Sequence, residues 1–295
     1  MLQETEEIKE PDKKAPNKKV GNNVANKTNK AAATFFDVGK LPKPDICYVL
    51  WMDIMGISCH MSQSLNRSAN FIGKFHSIIS QQERKCKYSR VYPIMDGAYI
   101  VFRRKPFMAE CEIPPRQDLE LTDQDLVKAV KHFIQCVYAR IAEDFLGEKD
   151  HMHQYIVRSA LAYGPVIFGE SLTADVVPEF YDQARASGLI LGYPIILANT
   201  SEHSAPPMGV FLDDSVLAKS AMIETERDGH LFAGRWYKWM SDAEKYYKFS
   251  NQKGLGDKVQ KYFEWCKEHK NMLGYDKEGV ERHLELAKEF FNEDT

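Results

Sequence analysis

Two short apolar segments, each carrying an aspartate, constrain the fold of this chain most strongly. Residues 46–56 read ICYVLWMDIMG, so Asp53 closes a run too hydrophobic to face water. Residues 91–102 read VYPIMDGAYIVF, where Asp96-Gly97 separates two β-rich stretches like the tip of a tight hairpin. If the first strand and the hairpin are neighbours, the two carboxylates converge. Crowded carboxylates raise each other's pKa unless a cation lies between them, so the pattern predicts a divalent metal site.

The composition excludes several classes of protein. A length of 295 residues with 44% hydrophobic content can bury one substantial core, and a net charge of −3 gives no general attraction for nucleic acid. No run approaches the ~20 apolar residues of a membrane span, and the N-terminus has no apolar leader. The six cysteines lack metal-ligand spacing and fit reduced, buried thiols. We therefore expect a soluble, cytoplasmic protein.

The chain divides by composition into three parts. Residues 1–40 form a tail that is rich in Lys, Asn and Glu and poor in large apolar side chains, which predicts disorder over at least residues 1–33. Residues 41–240 carry the alternating strand and helix patterns and are interpreted as one domain. Residues 241–295 have helical periodicity and are interpreted as a C-terminal helical extension.

Hydrophobic periodicity predicts an α+β order of elements. The predicted elements are strand 46–53, helix 60–82, strands 90–95 and 98–103, a helix starting at Thr122, strand 155–163 ended by Gly164-Pro165, a helix over about 190–203, strand 210–212 and a β-like run over 231–239. The order β-α-β-β-α-β is that of a ferredoxin-like split βαβ sheet with flanking helices. In that arrangement the first strand lies beside the hairpin, which again brings the two aspartates to one edge.

Four motifs in this order resemble the class III nucleotidyl cyclases. Residues 52–58 (MDIMGIS) are similar to the family's first metal motif, and residues 93–99 (PIMDGAY) to its hairpin with the second metal aspartate. Residues 158–166 (RSALAYGPV) resemble its strand on the dimer-facing side, and residues 192–198 (GYPIILA) the start of its helix with transition-state residues. The resemblance covers about residues 45–240.

The resemblance implies two-metal cyclisation of a nucleoside triphosphate. Asp53 and Asp96 would hold two Mn²⁺ or Mg²⁺ ions, with the Ile54 carbonyl as a further ligand. The backbone amides of the next three residues would cradle the phosphates: Met55, Gly56 and Ile57. Because sites in this family form between two subunits, a head-to-tail homodimer is also implied.

The chain departs from the family at the residues that read the base and stabilise the transition state. Ile196 and Thr200 stand where the family has asparagine and arginine, and Leu189 replaces an acidic base-reading residue. Tyr92 occupies the position of the purine-reading lysine, with Arg90 nearby to contact base or phosphate.

These departures resemble those of the bacterial pyrimidine cyclases of the Pycsar anti-phage systems. They imply that UTP, or else CTP, is cyclised to a second messenger. That product would activate a separate effector protein.

Alternative interpretations remain at this stage. The missing transition-state residues also fit a catalytically inactive cyclase fold that binds nucleotide or protein, and palm-type polymerases place two metal aspartates on a similar sheet. If the chain is an active cyclase, the missing arginine could be replaced by Arg158, Arg185 or Arg235, among which the sequence does not choose.

Overall fold

The computed structural model describes residues 41–107, 120–172, 188–223, 232, 234–240, 252–269 and 277–292. The predicted tail 1–40 lies outside the described residues. The strands are β1 Asp45–Ile54, β2 Ser89–Ile94, β3 Gly97–Arg103, β4 Val157–Phe168, β5 Ile190–Leu191, β6 Val210–Leu212 and β7 Trp236–Tyr237. The helices are α1 Ile57–Gln63, α2 Leu65–Glu83, α3 Asp123–Gly147, α4 Tyr193–Ser201, α5 Asp214–Met222, α6 Gln252–Glu268 and α7 Lys277–Asn292.

The strands form one sheet with the order β2-β3-β1-β4-β6-β7, and β5 pairs with β4 off this path. Strand β1 is central and runs antiparallel to both β3 and β4, whereas β4 and β6 are parallel. The succession β1, α2, β2-β3 hairpin, α3, β4 is the split βαβ arrangement, so the predicted α+β fold class is confirmed.

The sheet has an apolar cluster on each face because side chains alternate along its strands. Leu50 and Met52 of β1 join the larger cluster, which includes residues of α2 and α3. Val49 and Trp51 join a second cluster with residues of β2, β3, β4 and α4. By this alternation, Asp53 belongs to the second face, the one that carries α4.

The C-terminal helices α6 and α7 pack against each other and contribute to the larger core cluster. Their fully buried residues there include Leu255 and Phe263 of α6 and Phe290 of α7. The division at residue 240 into a domain and an extension stays a prediction.

One strand prediction was wrong at Gly164-Pro165. Strand β4 continues through this pair, with Pro165 opposite Ile46 of β1. A strand tolerates proline where no neighbour needs its missing N–H. Among the described strands, β6 pairs only with residues 159–161 of β4 and β5 only with residues 167–168.

Three other boundaries also differ from the predictions. The helix predicted over 60–82 is two helices, because the Ser64 side chain accepts a hydrogen bond from the Arg67 amide and starts a new helix there. The helix predicted from 190 begins at Tyr193, after the short strand β5. Of the β-like run over 231–239, only Trp236–Tyr237 is a strand among the described residues.

Candidate functional site

Asp53 lies near the carboxyl end of β1, between two strands. It stands opposite Gly97 of β3 on one side and opposite Arg158 of β4 on the other. Side chains directly opposite in antiparallel strands have Cβ atoms about 4.5–5.5 Å apart. Because Asp96 directly precedes Gly97, the structure brings the two predicted aspartates to the same end of the sheet.

Asp96 is fixed by a tight β2-β3 turn. The connecting residues are Met95 and Asp96, one position earlier than the predicted tip Asp96-Gly97, since Ile94 pairs with Gly97. Met95 has a φ of 50°, which is uncommon for a residue with a side chain. The Met95 carbonyl accepts a hydrogen bond from His76 Nε2 of α2 at 2.9 Å, and the Asp96 carbonyl accepts one from the Ile54 amide at 3.3 Å.

Gly97 allows this turn to sit close to β1. A Cβ at this position would lie 2.3 Å from the Trp51 ring and 2.9 Å from the Met52 carbonyl oxygen. Distances this short do not occur for real side chains, and one of the two obstacles is backbone. The glycine therefore sets how closely Asp96 approaches Asp53.

Three carboxylates influence one another at this site. The pKa of Asp53 is raised from its ordinary 3.8 to about 7, first by burial and then by the charges of Glu202 and Asp96. Arg158 and the Ile54 N–H oppose this rise without cancelling it. A divalent cation bound here would relieve the repulsion, because an opposite charge within a few ångströms favours ionised carboxylates.

The oxygen donors fit a hard divalent ion. Carboxylate and carbonyl oxygens suit Mg²⁺ and Mn²⁺, which would be held by Asp53 and Asp96 with the Ile54 carbonyl as a further ligand. Within the described ranges, no group of three or more His, Cys, Asp and Glu side chains has the geometry to hold a metal ion. The remaining ligands would therefore come from backbone, water or substrate phosphates, as is usual for Mg²⁺.

The turn after β1 differs in part from the predicted phosphate cradle. The Met55 amide donates to the Ile156 carbonyl at 2.9 Å, so it is already used. Gly56 has a φ of 70°, and its carbonyl accepts from the Cys59 and His60 amides. The helix that follows, α1, has only seven residues. Phosphate binding by Gly56 and Ile57 stays a prediction.

Sequence reasoning missed the buried charges beside Asp53. Arg158, which the sequence suggested only as one of three substitute arginines, forms an ion pair with Glu202, and these side chains are 12% and 4% exposed. Two histidines complete the cluster: His203 Nδ1 lies 3.0 Å and His283 Nε2 3.3 Å from guanidinium nitrogens. The signal available in the sequence was Glu202, an acidic residue that ends an otherwise uncharged helix.

The two predicted base-contacting residues lie on β2, which β3 separates from the strand of Asp53. Tyr92 is 6% exposed and packs in the second-face cluster with Trp51 and Tyr99. Burial raises its pKa to about 12, so the phenol remains protonated at neutral pH. Arg90 forms an ion pair with Glu170 and lies over the Phe107 ring at 4.6 Å.

The positions that depart from the cyclase pattern lie around α4 and β5. Ile196 is 58% exposed on α4. The Thr200 hydroxyl donates to the Ile196 and Leu197 carbonyls of its own helix. Leu189 packs in a small cluster with Leu172.

Of the two other substitute arginines, Arg235 is the one within the described residues. Arg235 is exposed and lies over the Phe211 and Trp236 rings at 5.8 and 5.4 Å. Arg185 lies outside the described residues.

None of the helices in the described part of the chain is long and apolar enough to cross a membrane.

Similar solved structures are nucleotidyl cyclases or domains of them. A bacterial light-regulated adenylyl cyclase is 13% identical, covering 62% of this chain and 83% of its own, with a TM-score of 0.43. The adenylyl cyclase CyaB from P. aeruginosa is 12% identical, covering 63% and 86%, with a TM-score of 0.43. The guanylate cyclase domain of RhGC from Catenaria anguillulae, in complex with GTP, is 14% identical, covering 66% and 94%, with a TM-score of 0.41.

No family model matches the chain, and no curated protein matches it. At TM-scores below 0.5, the structural similarities carry no conclusion about the activity of this chain.

Proposed function

We propose that this protein is a nucleotidyl cyclase that converts UTP, or else CTP, into a 3′,5′-cyclic nucleotide and pyrophosphate. The proposal extends to a cytoplasmic homodimer whose product signals to a separate effector in anti-phage defence, as the resemblance to pyrimidine cyclases implies. The observation that carries the catalytic part is the pair Asp53 and Asp96, held at one end of a split βαβ sheet.

The paired carboxylates support metal-assisted chemistry. Asp53 is half-buried in a position where ionisation is unfavourable, with a pKa near 7. Uncompensated buried charges destabilise a fold, so this arrangement is reasonable for a protein that binds cations at the site. Divalent ions bound there would favour ionisation of the ribose 3′-hydroxyl and neutralise charge on the leaving pyrophosphate.

The chain's own groups have separate parts in this proposal. Asp53 and Asp96 bind the ions and thereby orient the triphosphate. Arg158 and the Ile54 N–H favour the ionised form of Asp53. The amides of Gly56 and Ile57, which follow Asp53 in the turn after β1, would donate to the phosphates.

The proposed preference for a pyrimidine is based on the apolar or neutral side chains at the positions that contact the base in the cyclase family. Leu189 and Ile196 offer no hydrogen-bonding group to a purine, and Tyr92 is a neutral phenol at physiological pH. Within its own chain, Tyr92 lies on β2, which β3 separates from the strand of Asp53. Its contact with a base would therefore be made in the site that carries the aspartates of a second copy.

The surface of α4 supports a dimer. This helix reads YPIILANTS, and a helix apolar on most sides is normally buried. Nevertheless, Tyr193 and Ile196 are 65% and 58% exposed, and Leu191 just before the helix is 40% exposed. A second copy of the chain would cover these side chains.

The test is to incubate the purified full chain with Mn²⁺ and each of the four ribonucleoside triphosphates. We expect cyclic UMP or cyclic CMP and an equal amount of pyrophosphate, lost in Asp53→Ala and in Asp96→Ala. Cyclic AMP or GMP as the main product would refute the pyrimidine assignment. No cyclic product from any of the four would refute the cyclase.

The inactive alternative has one observation in its favour. The Thr200 hydroxyl is bonded to its own helix, and Arg158 is paired with Glu202, so neither is free to stabilise a transition state. A silent nucleotide-binding module would be stabilised thermally by a nucleoside triphosphate while releasing no pyrophosphate.

A further inference from the structure

The C-terminal helix α7 reaches the carboxylate site through one histidine. His283 Nε2 lies 3.3 Å from a terminal nitrogen of the Arg158 guanidinium. The helix is anchored beside this contact by Val280, Ala287 and Phe290, which are fully buried. A residue 125 positions away in sequence thus contacts the cross-strand neighbour of Asp53.

Three groups hold the Arg158 guanidinium. The Glu202 carboxylate pairs with it on one side, and His203 Nδ1 and His283 Nε2 lie 3.0 and 3.3 Å from its two terminal nitrogens. A guanidinium only donates hydrogen bonds, so His283 Nε2 must present its lone pair. Burial, followed by the charge of Arg158, lowers the pKa of His283 to about 4, in agreement with a neutral, accepting ring.

The position of this guanidinium matters for cation binding. At its present place Arg158 lowers the pKa of Asp53 and so favours the ionised carboxylate. Released from His283, the terminal nitrogen that now faces this ring could turn onto an Asp53 oxygen, since hydrogen bonds between guanidinium and carboxylate are strong. Arg158 would then compete with a divalent ion for those oxygens.

We propose that His283 is a positioning residue of the metal site. By accepting a hydrogen bond from Arg158, it keeps the guanidinium beside Asp53 and off the oxygens that bind the ion. This inference rests on the proposed function, because it concerns the same two aspartates. It assigns to α7 a role in the site, in addition to its packing in the core.

The experiment measures Mn²⁺ affinity of the full chain by isothermal titration calorimetry, without nucleotide. His283→Met keeps the approximate size of the side chain and leaves only a weakly accepting thioether sulfur, whereas His283→Gln offers an amide oxygen. We expect the Kd for Mn²⁺ to rise about 10-fold in His283→Met, the lower end of the usual range for such supporting contacts. His283→Gln and the exposed control Glu285→Gln should stay within about 2-fold of the unmodified chain.

A second variant keeps the test decisive if His283→Met does not fold. His283→Asn is polar but one methylene shorter than Gln, so it should fail to reach Arg158 and weaken Mn²⁺ binding by a similar factor. Unchanged Kd values in every folded His283 variant would overturn this inference and leave the proposed function intact. If the unmodified chain does not bind Mn²⁺, or binds it equally well without Asp53, both this inference and the proposed function are overturned.

Discussion

Asp53 is the residue on which the proposed chemistry depends, and its environment could be predicted only in part. The apolar run before it and the Asp-Gly pair further along indicated that two carboxylates meet. The contributions of Glu202 and Arg158 to its pKa could not be predicted, because they depend on how α4 and β4 meet after folding. Sequence patterns specify which elements form, whereas a pKa depends on burial and on charges brought from distant parts of the chain.

A raised pKa makes stability depend on pH with a definite sign. Asp53 takes up a proton on folding between about pH 4 and pH 7, so the metal-free protein should lose stability as pH rises through this range. Asp53→Asn removes this loss. We compare the free energy of unfolding of Asp53→Asn with that of the unmodified chain at each pH. This difference should shift in favour of Asp53→Asn by roughly 1–3 kcal/mol between pH 5 and pH 8.

Urea unfolding in the presence of a chelator at the two pH values measures this difference. The exposed Glu143→Gln on α3 serves as a control and should follow the unmodified chain. If the free energies of unfolding of Asp53→Asn and the unmodified chain change in parallel with pH, Asp53 has an ordinary pKa.

At the scale of elements, the sequence predicted most of the fold. Strands β1, β2, β3 and β6 and the start of helix α3 were predicted to within a few residues, because their apolar periodicity and caps are local features. The Thr122 side chain accepts a hydrogen bond from the Asp125 amide, and α3 begins there as predicted. The error at Gly164-Pro165 had a tertiary cause: whether a proline ends a strand depends on whether a neighbour needs its N–H, which local sequence does not contain.

The β2-β3 hairpin is held at its tip by a helix. His76 of α2 donates a hydrogen bond to the Met95 carbonyl, one residue before Asp96. His76→Leu removes this bond, whose net value is about 1 kcal/mol. We expect amide hydrogen exchange in residues 94–97 to become roughly 5-fold faster, as that free energy implies.

The matched variant His76→Gln keeps a hydrogen-bond donor at this position. Lys74→Ala, at an exposed position of the same helix, changes neither the His76 side chain nor the Met95 carbonyl. Both should exchange at the rate of the unmodified chain. If His76→Leu also exchanges at that rate, His76 does not hold the turn.

At the scale of the whole molecule, the proposed dimer would form through the exposed apolar side chains of α4. Ile196→Asp places a charge at the centre of this surface. We expect it to shift the protein from dimer to monomer, with about a 10-fold or greater rise in the dimer dissociation constant, since an unpaired charge is costly in an interface.

Analytical ultracentrifugation over a concentration series measures this constant. Met222→Asp is the matched control, because Met222 is 78% exposed on α5 and lies outside this surface. An equal effect of the two variants on the dissociation constant, or a monomeric unmodified chain, would contradict a dimer formed through α4.

The most direct test of the central claim is Mn²⁺ binding by the full chain and by three variants, measured by calorimetry. If Asp53 and Asp96 bind the same ions, Asp53→Ala and Asp96→Ala should each weaken binding strongly. The loss of binding free energy in the double variant should then be far smaller than the sum of the losses in the two single variants, since groups that act together are not additive. Additive losses, or binding that survives in the double variant, would show that the two carboxylates do not form one metal site.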